Sequence, residues 1–259
     1  MTDATLTFPN RKRQVGFYIT VSLFSLLLIA FTGFMIPILP SVLIGWFNPE
    51  LFGIHQLHEM SGGGAVNWLL LAGMLLQLHH PERKVAALQM ANLVAISTIV
   101  VSLVAGTFFF PTMLFLVFTV TAAYLHPKRQ EMLRFGRPGL PELLALVALA
   151  AVPLIIYAVN HIKLQWIAVD EHAELTHYGM MANMAVTLLL VGLLASFKTV
   201  GWPVPAWGAG FLAIVFGLTS VVFPEQSSSV GLLWGILAIV WGLIFIGVAE
   251  WKRFKEREA

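Results

Sequence analysis

Apolar runs long enough to cross a bilayer constrain this chain more than any other feature. A hydrocarbon core of roughly 30 Å takes about 20 helical residues. Windows of that kind fall near 16–36, 54–78, 86–108, 141–160, 177–197, 204–223 and 229–250, with a shorter one at 110–126. Residues 86–126 cannot form one helix, because at about 1.5 Å per residue it would be roughly 60 Å long. Pro111, following Gly106 and three phenylalanines, supplies the turn. Only 11% of the residues are charged and 58% are hydrophobic, whereas soluble domains carry about 25% charge. The expected fold is an all-α integral membrane protein of eight transmembrane helices surrounded by the lipid bilayer.

Lysine and arginine set its direction. Arg11, Lys12 and Arg13 precede the first span, and no small-residue cleavage site follows a short apolar core, so a retained helix is expected here and not a signal peptide. Arg83 and Lys84 follow span 2; Lys128, Arg129, Arg134 and Arg137 follow span 4; Lys198 follows span 6; Lys252, Arg253, Lys255 and Arg257 follow span 8. All of these fall on one side of an alternating topology, and only Lys163 falls on the other. The positive-inside rule then puts both termini in the cytoplasm, as in a multi-pass protein of a bacterial inner membrane. The basic pI, near 9.0, reflects this topology and does not imply nucleic acid.

Laid over itself at an offset of 119 residues (177 − 58), the chain repeats. HEMSGGGAVNWLLLAG from His58 aligns with HYGMMANMAVTLLLVG from His177, so that His, three leucines and Gly coincide. Spans 4 and 8 also superpose, and Pro37 and Pro153 are near-equivalents. Four spans per half is an even number, so the halves share one orientation, as parallel repeats about an axis along the membrane normal. The expected units are 1–127 and 140–259, joined by a basic cytoplasmic linker over 128–139.

The same offset pairs His58 with His177 and His55 with Glu174. Members of each pair are three residues apart, hence on one face if the helix reaches that far, and Glu-x-x-His is the ligand spacing of carboxylate-bridged metal bundles. A two-fold axis would gather His55, His58, Glu174 and His177 near the outer face, with His172 in the adjoining loop and His161 further off. With no cysteine in the chain, a metal here would take imidazole and carboxylate ligands, which suit iron, copper or zinc. Glu59 points away from His58 by about 100° on a helix and is expected to act behind the ligands. Met180, Met181 and Met184 could favour copper, but a methionine stripe in a membrane helix more often packs.

A second chemistry fits the same residues: His58 and His177 as axial ligands of a b-type haem, with Gly62, Gly63 and Gly64 letting the porphyrin approach. The alternative for the glycines is close helix crossing. His79, His80 and His126 stand at cytoplasmic helix ends, where a structural role is expected. HEMSG lacks the second histidine of HExxH, no P-loop or dinucleotide fingerprint occurs, and no span carries a lysine for a Schiff base. The reading is a membrane protein binding a transition metal for redox chemistry or metal handling, with a redox or membrane-complex partner. A haem cytochrome and a non-enzymatic assembly subunit are its alternatives.

Overall fold

Helices follow the apolar runs almost window for window. The structure, a computed structural model, describes residues 11–134 and 139–258; Arg137 and most of the second half of the linker lie outside the described residues. Helix α1 (Arg11–Ile29) continues through a π-helical stretch, Ala30–Met35, and stops at Pro37. Two short helices follow, α2 (Ile38–Ile44), packed on the segment from His58 to Ala65, and α3 (Pro49–Phe52). A second π-helical stretch, His58–Ala65, runs straight into α4 (Val66–Leu75). Then come α5 (Val85–Ala105), α6 (Met113–Leu125), α7 (Pro141–Ile167), the single turn α8 (Glu171–Glu174), α9 (His177–Ser196), α10 (Pro203–Val222) and α11 (Gly231–Glu258).

Among the described residues seven helices are long and apolar enough to cross a membrane. The eighth apolar stretch, Phe110–Leu125, is shorter. The break that sequence length demands between it and α5 is made at Gly106, which adopts φ 73° and ends α5. Pro37 and Pro153 differ in role: Pro37 marks a break, while Pro153 sits inside the continuous helix α7.

Helices adjacent in sequence pack side by side: α4 on α5, α5 on α6, α9 on α7 and α10, and α10 on α11. α1 also packs on α6, and α7 on α11. α5 lies on α9, and the His58–Ala65 stretch lies on α9 and α10. Large side chains such as Phe17, Met74, Leu143, Met181 and Phe245 fill the interior. The Arg13 guanidinium donates to the carbonyls of Leu125 (3.0 Å), Tyr124 (3.0 Å) and His126 (2.6 Å), capping the last turn of α6 from α1.

At one end of this frame α4, through its π-helical lead, and α9 both begin. The triple glycine explains how these two helices and α2 approach each other. A Cβ on Gly64 would lie 2.6 Å from Ser41 Oγ and 2.8 Å from the Ile38 carbonyl, and one on Gly62 would lie 2.9 Å from Met181 Sδ. The glycines are contact surfaces for α2 and α9.

Candidate metal centre

Four imidazoles converge where these helices start. Ring centroids lie 4.6 Å apart for His55–His177, 4.8 Å for His58–His177, 4.8 Å for His58–His172 and 4.9 Å for His55–His172. His58, His172 and His177 are buried, and His55 is nearly so, its side chain 16% exposed. One ring nitrogen from each of His55, His58 and His177 lies within 4.8 Å of the others, a group able to hold a metal ion. Tetrahedral ligands at about 2.0–2.1 Å from a metal stand roughly 3.3 Å apart, so the three nitrogens would have to close in by up to about 1.5 Å.

Each ring has one nitrogen engaged and one free. His55 Nε2 is 3.1 Å from Glu171 Oε1, His177 Nε2 is 3.4 Å from Glu59 Oε1, and His58 Nε2 is 2.9 Å from Ser228 Oγ. His172 bonds the Ile54 backbone carbonyl. The opposite nitrogens, Nδ1 of His55, His58 and His177 and Nε2 of His172, are buried with no hydrogen-bond partner among the described residues. Buried polar atoms are nearly always paired, and four orphans in one cluster are a concentration that calls for a ligand. A carboxylate, hydroxyl or carbonyl on the far nitrogen fixes the tautomer and aims the lone pair inward, as in metal sites generally.

The protein around the rings comes from distant parts of the chain. The α10–α11 connection closes over them: Gln226 Oε1 accepts from the Leu57 backbone N–H at 2.9 Å, and Gln226 Nε2 donates to Gln56 Oε1 at 3.0 Å. The Tyr178 hydroxyl donates to Asp170 Oδ2 at 2.8 Å and shares a hydrogen bond with Ser227 Oγ at 3.0 Å. The Ala173 backbone N–H and that hydroxyl hold the Asp170 carboxyl below its usual range. Burial pushes His172 below the ordinary imidazole range, toward the neutral form a metal needs.

The sequence-derived residues divide clearly. His55, His58, His172 and His177 come together, and Glu59 stands behind His177. Glu174 is exposed, and the carboxylates touching imidazoles are Glu59 and Glu171. The one-face argument for Glu174 and His177 needed an unbroken helix, but α8 ends at Glu174 and Thr176 takes φ 63°, in the left-handed region, before α9 begins. His161 stays at the margin: it stacks on Tyr157 at 3.8 Å and approaches Tyr178 at 6.1 Å. Met181 and Met184 are fully buried in the helix core, the packing role. His126 is buried against Phe17 and bonds the Pro81 carbonyl, a structural role.

Sequence reasoning missed Ser228, Gln226, Tyr178 and Glu171 as parts of the site. For the first three the only signals were a polar Gln-Ser-Ser-Ser run between two apolar windows and a tyrosine beside His177. No protein-family model, curated protein or solved structure matches this chain.

Proposed function

We propose that this multi-pass membrane protein binds a transition metal through His55, His58, His177 and His172, for redox chemistry or metal handling. The observation that carries the reading is the set of four orphaned, buried ring nitrogens, each on an imidazole whose other nitrogen is held. Neutral imidazole donors without thiolate suit iron, copper or zinc. Glu59 and Glu171 would raise the basicity of the rings they touch and balance part of the ion's charge.

In this reading Phe110–Leu125 also crosses, giving eight spans as two parallel four-helix repeats with both termini cytoplasmic and the histidines near the extracytoplasmic face. Contacts of α1 with α6 and of α4 with α5 are matched by α7 with α11 and α9 with α10, and α5–α9 by α10 against the His58–Ala65 stretch. That pattern, together with His58 facing His177, supports a two-fold relation. The basic residues support a cell membrane of bacterial inner-membrane type and a cytoplasmic linker over 128–139.

Haem b between His58 and His177 has less support. Their rings stack face to face, only 13° from parallel, whereas axial ligands present ring nitrogens to opposite faces of an intervening porphyrin. The glycines are covered by α2 and α9.

Elemental analysis of protein purified from native membranes without chelator tests the proposal. Stoichiometric metal, lost in His58→Ala and His177→Ala but kept in His161→Ala, is expected. A Soret band lost in the same two variants would establish haem instead. Neither metal nor haem in folded protein would leave an assembly subunit as the remaining reading.

A further inference from the structure

Beside the histidines the bundle is hollow. A cavity of about 490 Å³ runs from Thr176 and Gly179, next to His177, between α1, α4, α5, α6 and α9 as far as Leu70 and Val94. That volume is typical of small-molecule sites. Leu27, Phe31 and Leu114, on apolar helical segments, and Phe109, in the α5–α6 connection, line it and are exposed, so the cavity opens on a side that lipid would cover.

The lining narrows the chemistry. Phe24 stacks on Phe118 at 5.3 Å and meets Phe115 edge-on at 5.9 Å, giving flat aromatic walls. Two carboxamides, Asn67 and Asn183, interrupt this apolar lining. Asn67 Nδ2 donates to the Gly63 carbonyl at 2.9 Å, and Asn183 Nδ2 donates to Thr98 Oγ1 at 3.1 Å. The Asn67 side-chain oxygen accepts no hydrogen bond among the described residues. A saturated chain would need neither amides nor flat walls, and a water-soluble molecule would not reach this lateral entrance.

We propose that the cavity binds a membrane-dissolved molecule with a flat ring bearing carbonyl or hydroxyl groups, of the quinone–quinol class. Its ring lies by Asn67 and Asn183 and its apolar tail leaves past Phe31. Asn67 keeps its oxygen to accept from a ring hydroxyl and each amide keeps one N–H for a ring carbonyl, while Asn183 Oδ1 already accepts from Thr187 Oγ1 at 3.4 Å. Glu59 links cavity and metal centre: one carboxylate oxygen faces His177, while a Cβ on Gly63, in the cavity wall, would lie 3.5 Å from the other. The inference deepens the metal reading by naming a substrate class, and the binding itself stands without a metal.

Decylubiquinone titrated into the purified full-length protein in detergent, with metal measured on the same samples, tests it. Saturable one-to-one binding is expected, weakened at least tenfold in Asn67→Leu and in Asn183→Leu while metal content is unchanged. Binding that persists in His58→Ala without metal supports the cavity even if the metal reading fails, and metal without quinone binding sinks the cavity alone. Equal competition by dodecane, or unchanged affinity in both Asn variants, overturns the quinone class. An azido-quinone crosslinked to the unsubstituted protein needs no variant to fold: labelling within 24–38, 62–70, 94–118 or 176–183 supports the proposal, and labelling confined elsewhere overturns it.

Discussion

His58 and His177, 119 positions apart in sequence (177 − 58), lie with their rings stacked at 4.8 Å and each begins a helical run into the membrane region. Each also points one ring nitrogen at a partner, Ser228 or Glu59, and leaves the other bare.

Carboxylates behind the rings should tune metal affinity. Glu59→Gln, which keeps the shape but removes the charge facing His177, is expected to weaken metal binding 10- to 100-fold. Glu174→Gln, at an exposed position, should leave it within twofold. Competition with a chelator of known affinity measures both, and equal effects of the two substitutions would falsify the assignment of Glu59.

Metal bound to the folded state alone must stabilise it. At a free metal concentration 100 times Kd the gain is about 2.7 kcal/mol, so chelation should lower the melting temperature in detergent. His58→Ala, already metal-free, should show no chelator effect.

The packing role of the triple glycine predicts a sterically graded response. Gly64→Ala drives a methyl against Ser41 and the Ile38 carbonyl and should cost about 1–3 kcal/mol, seen as a lower melting temperature. Gly247→Ala, whose Cβ would meet nothing within 4 Å, should be neutral or slightly stabilising in its helix.

Acid sensitivity should have a component remote from the metal centre. Burial pushes His126, beyond the last residue of α6, down to about 4, while the unfolded chain titrates near 6.5. The unfolded state therefore binds the proton first, and stability is lost as pH falls through the window from about 6.5 to about 4. At about 1.4 kcal/mol per unit the full effect is of order 3 kcal/mol. His126→Gln, which does not titrate and still offers a donor to the Pro81 carbonyl, should flatten the melting temperature across that window.

A chain without cysteine makes topology directly measurable. Val169→Cys, at a fully exposed position between α7 and α8, should react with a membrane-impermeant maleimide from outside the cell. Cysteines placed at Arg11 and at Glu258 should both react only from the cytoplasm. Opposite sidedness of these two would mean that Phe110–Leu125 does not cross.

The spans were legible because lipid imposes one simple requirement, length of apolar helix. The short fourth run was visible for the same reason, as was the break before Pro111. His55, His58 and His177 could be brought together on paper because an expected two-fold repeat offered a spatial rule. Glu174 could not be placed correctly by spacing alone, since a threonine is a poor candidate for the left-handed conformation that Thr176 adopts. Ser228 and Gln226 reach the site across 170 and 169 positions of sequence from His58 and Leu57, a proximity with no local periodicity to announce it. The π-helical start of span 2 likewise has no repeating pattern, and such stretches are frequent at functional sites.

The loop that carries Gln226, Ser227 and Ser228 also fixes a sequence of events during biogenesis. Histidines 55, 58, 172 and 177 are all synthesised before the α10–α11 connection that holds Leu57, Tyr178 and His58 in place. As chains emerge from the N-terminus onward, the centre gains its outer cover only when the last helix pair inserts. In the proposed metal reading, an ion arriving before that step would meet the cluster uncovered, and one arriving after it would have to pass the connection.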